Sequence, residues 1–162
     1  MKSLLKTTLR MNTASATTDL ALLLARIGLG GILMAHGWQK LDEQGISGTA
    51  AGFDAMGIPL PEAAAYFATY VELVGGALLI AGLLTPLVGL LVIGNMAGAF
   101  WYVHRGNGVF AGEGGYELVA VIALLALTLA AAGAGRVSLD GLIAGGRSRT
   151  EVVAPEREKV NA

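Results

Sequence analysis

The chain has 162 residues, of which 54% are hydrophobic and only 14% are charged, and its formal net charge is -1. A soluble domain carries about 25% charged residues, so this composition excludes an ordinary water-soluble domain and indicates a membrane protein. The sequence contains no cysteine, which excludes disulfides, thiolate metal sites and a dithiol redox centre, and no other metal-ligating pattern is present. Without a basic patch, the near-neutral charge predicts no nucleic-acid partner.

Residues 1–19 are polar, with Lys2, Lys6 and Arg10 at helical spacing. Two interpretations stay open for this segment. It is a short helix lying on an anionic membrane surface, or a basic tail that only sets the membrane topology.

Four long apolar runs then predict transmembrane helices, at about residues 20–41, 63–84, 86–103 and 116–133. The predicted fold class is an all-α membrane protein, a four-transmembrane-helix antiparallel bundle with short connections. In the first span, Gly28, Gly30 and Gly31 favour close helix packing. The loop at 42–61 is predicted to hold a short interfacial helix around 47–56. The membrane domain covers 20–142, residues from 136 onward are polar, and 143–162 form a polar cytoplasmic tail.

Two charged residues lie inside apolar spans. Glu72 is near the middle of the second span, and Arg26 lies in the first. A charge at the bilayer centre costs about 2.5–3.5 kcal/mol on insertion scales, so it is retained only when it faces the bundle interior or meets a partner. Helical rise places the two residues about 9 Å apart in height, and the sequence therefore predicts an Arg26–Glu72 pair.

Polar and aromatic residues also collect toward one end of the spans. By the same rise, His36, His104 and Glu117 occupy one layer, about 24–27 Å from the opposite membrane surface, with Glu72 beneath them. This pattern predicts a polar cavity whose ligand-binding or proton-handling candidates are Arg26, His36, Lys40, Glu72, Asn95, His104 and Glu117. The aromatic residues predicted to line it are Trp38, Tyr70, Trp101, Tyr102 and Tyr116.

Each of these residues also has a structural interpretation. The Arg26–Glu72 pair fixes helix register, the histidines are interfacial rings, Glu117 favours the dipole of its helix, and Asn95 bonds a neighbouring helix. The positive-inside rule orients the bundle, because lysine and arginine concentrate in the two terminal segments. Both termini are therefore predicted in the cytoplasm, with the aromatic residues toward the outer side.

The sequence resembles the DoxX family over about residues 20–142. The segments that carry the resemblance are Arg26–Gly30, His36–Leu41, Gly57–Pro59, Glu72–Pro86, Tyr116–Leu118 and Gly133–Asp140. The resemblance implies a bacterial inner-membrane protein of four helices, with Arg26 and Glu72 as the core pair and His36, Lys40 and Glu117 lining the cavity. Family relatives resemble the membrane subunit of a thiosulfate:quinone oxidoreductase, or are described as membrane partners of oxidoreductases that handle thiol or oxidative stress.

Three functional hypotheses follow. The first is a membrane subunit that binds a quinone or small redox ligand in the outer cavity and couples to an oxidoreductase partner, as an enzyme subunit or as part of a homo-oligomer. A quinone head needs hydrogen-bond donors at its carbonyls and a route for protons. The second is a non-catalytic membrane partner or chaperone of a redox or stress-response complex. The third uses the two histidines as axial haem ligands.

Overall fold

A computed structural model describes residues 2–144 of the chain, with side chains from residue 16 onward. Its first helix, α1, runs without interruption over Lys2–Trp38, because neither glycine nor proline occurs before Gly28. At about 1.5 Å per residue, α1 is about 55 Å long, well beyond the roughly 30 Å hydrocarbon core of a bilayer. The polar segment at 2–19 is therefore a continuation of the first span and not a separate element.

Five further helices follow in the described part of the chain, and no β-strand occurs there. They are α2 (Gly45–Ala55), α3 (Pro61–Ala81), α4 (Thr85–Ala99), α5 (Glu117–Ala132) and α6 (139–144). Two π-helical turns extend α1 and α4, at Gln39–Glu43 and Phe100–His104. Apart from the start of α1, the helical boundaries agree with the predicted spans to within a few residues, and α2 lies where a short helix was predicted in the first loop.

The all-helical class is confirmed, whereas the helix count differs from the prediction. Within residues 2–144, three helical stretches are long and apolar enough to cross a membrane, Ala16–Glu43, Pro61–Ala81 and Thr85–His104. The fourth predicted span, α5, is apolar but has only 16 residues, below the usual range of about 17–25 for a transmembrane helix. Beyond the four predicted spans, α2 is the short helix predicted in the first loop, and α6 was not predicted.

The four longest helices pack in a ring, α1 on α3, α3 on α4, α4 on α5 and α5 on α1, and α2 packs on α3. Neighbouring helices run in opposite directions, as Gly30 of α1 approaches Gly76 of α3 while Gly37 approaches Leu73. We call the end that contains Gln39–Glu43, α2 and residues 105–116 the Lys40 end. We call the end that contains the α3–α4 turn and residues 133–144 the Arg26 end.

Glycine allows α1 and α3 to approach closely. A methyl group on Gly30 would lie 2.5 Å from the carbonyl oxygen of Gly76, and one on Gly76 would lie 2.6 Å from the carbonyl oxygen of Gly30. Small residues of this kind drive helix contact in lipid, where burial of apolar surface supplies little. Of the three glycines predicted for this role, only Gly30 has it, because Gly28 and Gly31 face outward and touch nothing within 4 Å.

The outer surface of the ring is apolar. Leu24, Leu90, Val121 and Leu124 are each at least 60% exposed, on α1, α4 and α5. Water would disfavour such a surface, whereas lipid chains solvate it. The arrangement is that of a protein that crosses a membrane several times.

Residues 133–144, at the end of the predicted membrane domain, pack under the ring. The backbone N–H of Asp140 donates to the carbonyl oxygen of Gly82 at 2.9 Å, and Arg136 binds the Asp19 carboxylate of α1 through its backbone N–H and its Nε. The segment therefore connects α1 with the α3–α4 turn. The rest of the predicted tail, from residue 145 onward, lies outside the described residues.

Candidate functional site

Glu72 lies in the buried face of α3, and both of its carboxylate oxygens are bonded. Lys40 Nζ donates to Oε2 at 2.5 Å, and Asn95 Nδ2 of α4 donates to Oε1 at 3.0 Å. The Glu72 side chain is 6% exposed and that of Lys40 is 19% exposed. A carboxylate with a cationic partner and a second donor is compensated well enough to remain inside a membrane-spanning bundle.

The π-helical turn after α1 presents Lys40 to this carboxylate. Thr49 of α2 donates its hydroxyl toward the Lys40 carbonyl oxygen and is also 3.2 Å from Gln44 Oε1. The turn is therefore held against α2 while the Lys40 side chain reaches α3. π-helical turns occur frequently at functional sites, and this one positions the only cation that pairs with Glu72 among the described residues.

Arg26 does not pair with Glu72, so the predicted core pair is wrong. Its Nη2 donates to the Val137 carbonyl oxygen at 2.5 Å, and its guanidinium lies against Gly82, ten residues beyond Glu72. Helical side chains tilt toward the N-terminus of their own helix. Because α1 and α3 are antiparallel, their N-termini lie at opposite ends of the bundle. The side chain of Arg26 therefore points away from the Lys40 end, whereas the side chain of Glu72 points toward it, and the two side chains diverge.

The Arg26 end holds a second polar cluster that the sequence prediction missed. The Asp140 carboxylate accepts the backbone N–H groups of Leu84 and Thr85 at 3.0 Å each, and so caps the N-terminus of α4. Arg26 is 1% exposed, its Nε and Nη1 have no hydrogen-bond partner among the described residues, and the negative charge of Asp140 favours its charged form. Ser138, directly before α6, is a local start signal for that helix and accepts the Gly141 N–H, whereas no local pattern indicates that Asp140 caps α4.

The predicted outer layer is not assembled into one cavity. His36 and Glu117 are exposed. Glu117 Oε1 accepts the backbone N–H of Ala111, and His104 Nδ1 lies 2.7 Å from the carbonyl oxygen of Gly114. Glu117 and His104 therefore hold the loop between α4 and α5, and of the seven polar candidates the structure brings together only Lys40, Glu72 and Asn95.

Most of the predicted aromatic lining faces outward. Trp38 and Trp101 are 54% and 55% exposed, and Tyr70 and Tyr102 are 45% and 40% exposed. Tyr116 is the exception, because it packs edge-to-face on Phe100 with ring centroids 5.5 Å apart. Trp38, Trp101 and Tyr102 lie at helix ends, where aromatic side chains are typical of a membrane interface, whereas Tyr70 lies in the middle of α3.

Tyr116 and Phe100 belong to an apolar groove between α4 and α5. Its volume is about 310 Å³, and its lining residues are Ile93, Met96, Ala97, Phe100, Tyr116, Val119, Ala120 and Ala123. Asn95, which binds Glu72, directly precedes Met96 of this lining. An apolar groove of this size lies at the lower limit of small-molecule sites.

Thr69 adds a further polar group near Glu72. It lies three residues before Glu72 on α3, its side chain is fully buried, and its hydroxyl has no hydrogen-bond partner. Residues three apart share one face of a helix. Thr69 therefore places a free hydroxyl on the Lys40 side of the carboxylate.

These features define an all-helical, multi-pass membrane protein with an ion pair buried between its helices. The DoxX family model matches residues 21–105, and the chain belongs to the DoxX family, as its motifs predicted.

Two curated relatives extend the comparison. The chain is 32% identical over 136 residues to "Putative oxidoreductase CatD" of Bacillus subtilis (strain 168), a match that covers 84% of this chain and 96% of that protein. It is 35% identical over 118 residues to an uncharacterized protein of Haemophilus influenzae, covering 71% of this chain and 84% of that one. No solved structure matches the chain significantly.

Proposed function

We propose that this protein is the membrane subunit of an oxidoreductase that binds a quinone or a small redox ligand and passes electrons to or from a partner. In this proposal it sits in the bacterial inner membrane as a four-span antiparallel bundle with both termini in the cytoplasm. The observation that carries the proposal is the buried Lys40–Glu72–Asn95 cluster. Ionisable groups at membrane depth are costly, and they are found where protons, ions or substrates are handled.

The residues around the cluster fit a quinone head. Lys40 and Asn95 are hydrogen-bond donors of the kind that bind ring carbonyls, and Glu72 can hold or release a proton. The groove between α4 and α5 would take an apolar ring, with Phe100 and Tyr116 as stacking surfaces. A quinone supplies two-electron, two-proton chemistry when it is bound.

The oxidoreductase part of the proposal rests on two points. The relative in Bacillus subtilis is named as an oxidoreductase. The present chain has no cysteine, so it has no thiol of its own to oxidise. An oxidoreductase partner therefore supplies or accepts the electrons, and this chain supplies the lipid-accessible binding site.

A thermal-shift titration tests the proposal. A ligand that binds only the folded state raises stability by RT ln(1 + [L]/Kd), about 2.7 kcal/mol at a hundredfold excess over Kd. We expect a soluble short-chain ubiquinone or menaquinone to raise the melting temperature of the purified protein. Glu72→Gln should fold yet lose most of the rise, whereas Asp54→Asn, at an exposed position of α2, should keep it. If neither quinone raises the melting temperature of the unsubstituted protein, the proposal is contradicted.

A non-catalytic membrane partner is the second candidate, because both oxygens of Glu72 are already bonded within the protein. Under that alternative no quinone shifts the melting temperature, while affinity purification in mild detergent still recovers a redox enzyme. The bis-histidine haem alternative has less support. His36 is exposed on α1 and His104 bonds a loop carbonyl beyond α4, and these two helices are not neighbours in the ring.

A further inference from the structure

Glu72 has different surroundings toward the two ends of the bundle. On the side of the Lys40 end, Lys40 donates a hydrogen bond to Glu72. The Thr69 hydroxyl, which has no partner among the described residues, lies on the same side. Lys40 is more exposed than Glu72, at 19% against 6%, and its π-helical turn carries the exposed residues Gln39, Asp42 and Glu43. Lys40 is therefore the more accessible partner of the pair, at the end of the bundle where its turn carries exposed polar residues.

Toward the Arg26 end, Glu72 is separated from solvent by a dry layer. All four long helices contribute to it, with side chains no more than 2% exposed, namely Leu29, Leu33, Leu79, Val88, Val92 and Leu129. The next polar group is Arg26, whose guanidinium lies against Gly82, about 15 Å beyond Glu72 along α3. Apolar cavities and interfaces of this kind stay free of water, and so carry no proton.

The C-terminal segment closes the Arg26 end. Val137 accepts a hydrogen bond from Arg26, Asp140 covers the first backbone N–H groups of α4, and Arg136 binds Asp19. These contacts join α1, the α3–α4 turn and the segment after α5. Arg26 Nε and Nη1 and Thr85 Oγ1 have no hydrogen-bond partner among the described residues, and the apolar layer separates these groups from Glu72.

We infer that Glu72 exchanges protons only with the compartment at the Lys40 end, and that Lys40 is the residue that passes the proton. The inference deepens the proposed function, because it states from which side of the membrane protons reach the ligand site. The Lys40 ammonium gives its proton to Glu72 Oε2 across their hydrogen bond, and the resulting amine takes a proton from water at the Lys40 end. The two transfers leave one added proton on Glu72, the cycle closes when Glu72 gives that proton to the bound ligand or back through Lys40, and no electron moves in these transfers.

The groups that face Glu72 from the packed elements are few. The turn after α1 contributes Lys40, and α4 contributes the neutral Asn95. Helix α2 contributes Thr49, which bonds the Lys40 backbone, and its acid Asp54 is exposed. Glu117 is exposed and bonds the Ala111 N–H. Among the described residues, Lys40 is therefore the titratable side chain in contact with Glu72.

Sided acidification of proteoliposomes tests the inference. The full chain with Gly112→Cys, an exposed position at the Lys40 end with open space around it, is reconstituted and its orientation is determined with an impermeant thiol reagent. The infrared band of the protonated Glu72 carboxyl is assigned by its loss in Glu72→Gln, or by its frequency shift in Glu72→Asp if the glutamine variant does not fold. An impermeant buffer then lowers the pH on one side of the membrane.

We expect the carboxyl band to grow when the Lys40 side is acidified and to stay unchanged when the Arg26 side is acidified. A response to the Arg26 side, or a response to neither side, overturns the inference. The quinone titration above is independent of this result. A sided carboxyl response without quinone stabilisation would remove the proposed ligand and keep the proton path, and the reverse outcome would keep the ligand and remove the path.

Discussion

Lys40 neutralises the charge of Glu72, and this dependence can be measured residue by residue. Removing one partner of a buried ion pair strands the other charge, at a cost of about 3–5 kcal/mol. We expect Lys40→Met to lower the free energy of unfolding by an amount in this range, and Lys40→Met combined with Glu72→Leu to recover much of the loss. A double-mutant cycle in mild detergent provides the coupling energy.

The same cycle between Arg26 and Glu72 is the matched control. The guanidinium of Arg26 lies beside Gly82, about 15 Å along α3 from Glu72, so the effects of Arg26→Met and Glu72→Gln should add to within about 0.5 kcal/mol. Strong coupling in this second cycle, or none in the first, would contradict the side-chain assignment.

Gly82 is required for two reasons, which a pair of substitutions separates. Its φ is +68°, and a methyl group there would clash with the Arg26 guanidinium and with Ser138. Gly45 has the same φ of +68° but open space around it. We expect Gly45→Ala to cost only the left-handed backbone strain of about 1–2 kcal/mol, and Gly82→Ala to cost clearly more. Equal shifts in melting temperature would show that the Arg26 contact has little energetic effect.

The polar residues themselves could be predicted from the sequence, but their partners could not. Arg26 and Glu72 stand out because apolar runs surround them, and the cost of burying charge marks them as special. Height along a helix, however, fixes only where a Cα lies. The Glu72 side chain points toward the N-terminus of its own helix, and this direction brings it to Lys40. No pattern in the sequence predicts the π-helical turn that carries Lys40.

At the scale of secondary structure, α4 begins with a cap supplied from a distant part of the chain. Asp140 accepts the backbone N–H groups of Leu84 and Thr85. Its negative charge also favours the positive charge of Arg26. We expect Asp140→Ala to destabilise the protein by about 2 kcal/mol or more, since loss of a helix cap costs about 0.5–2 kcal/mol and Arg26 loses its compensating charge as well. Thermal unfolding in detergent measures the change.

Asp54→Ala is the control for this cap. Asp54 is an exposed acid of α2, so its removal should change stability by less than about 0.5 kcal/mol. A loss at Asp140 no larger than that at Asp54 would mean that residues 133–144 do not hold the helices together.

The helices were predictable to a greater extent than the segments between them. The spans follow from runs of apolar residues bounded by proline and glycine, such as Pro61 at the first turn of α3 and Gly82 at its end. The fold of residues 133–144 under the ring depends on contacts to Arg26 and Gly82, more than fifty positions away in the chain. The polar side chains of this segment are only Arg136, Ser138 and Asp140, and its local composition carries no signal of those contacts.

For the whole molecule, the opposite ends of the bundle should face opposite compartments. The chain has no cysteine, so a single introduced thiol reports its own position. Ser47 and Gly112 are exposed at the Lys40 end, and Ala144 is exposed at the Arg26 end. The positive-inside rule predicts that the terminal segments face the cytoplasm. We therefore expect Ser47→Cys and Gly112→Cys to react with an impermeant thiol reagent in intact spheroplasts, and Ala144→Cys to react only after permeabilisation.

The labelling pattern also decides whether α5 crosses the membrane. With only 16 residues, it spans about 24 Å, short of the roughly 30 Å hydrocarbon core. Locally thinned lipid and the polar ends at Tyr116 and Gly133 would have to make up the difference. If α5 crosses, Gly112→Cys and Ala144→Cys label from opposite sides, as expected. If both label in intact spheroplasts, α5 does not cross and the chain has three spans. If Ala144→Cys alone labels, the bundle is inverted, and protons from the Lys40 end would come from the cytoplasm.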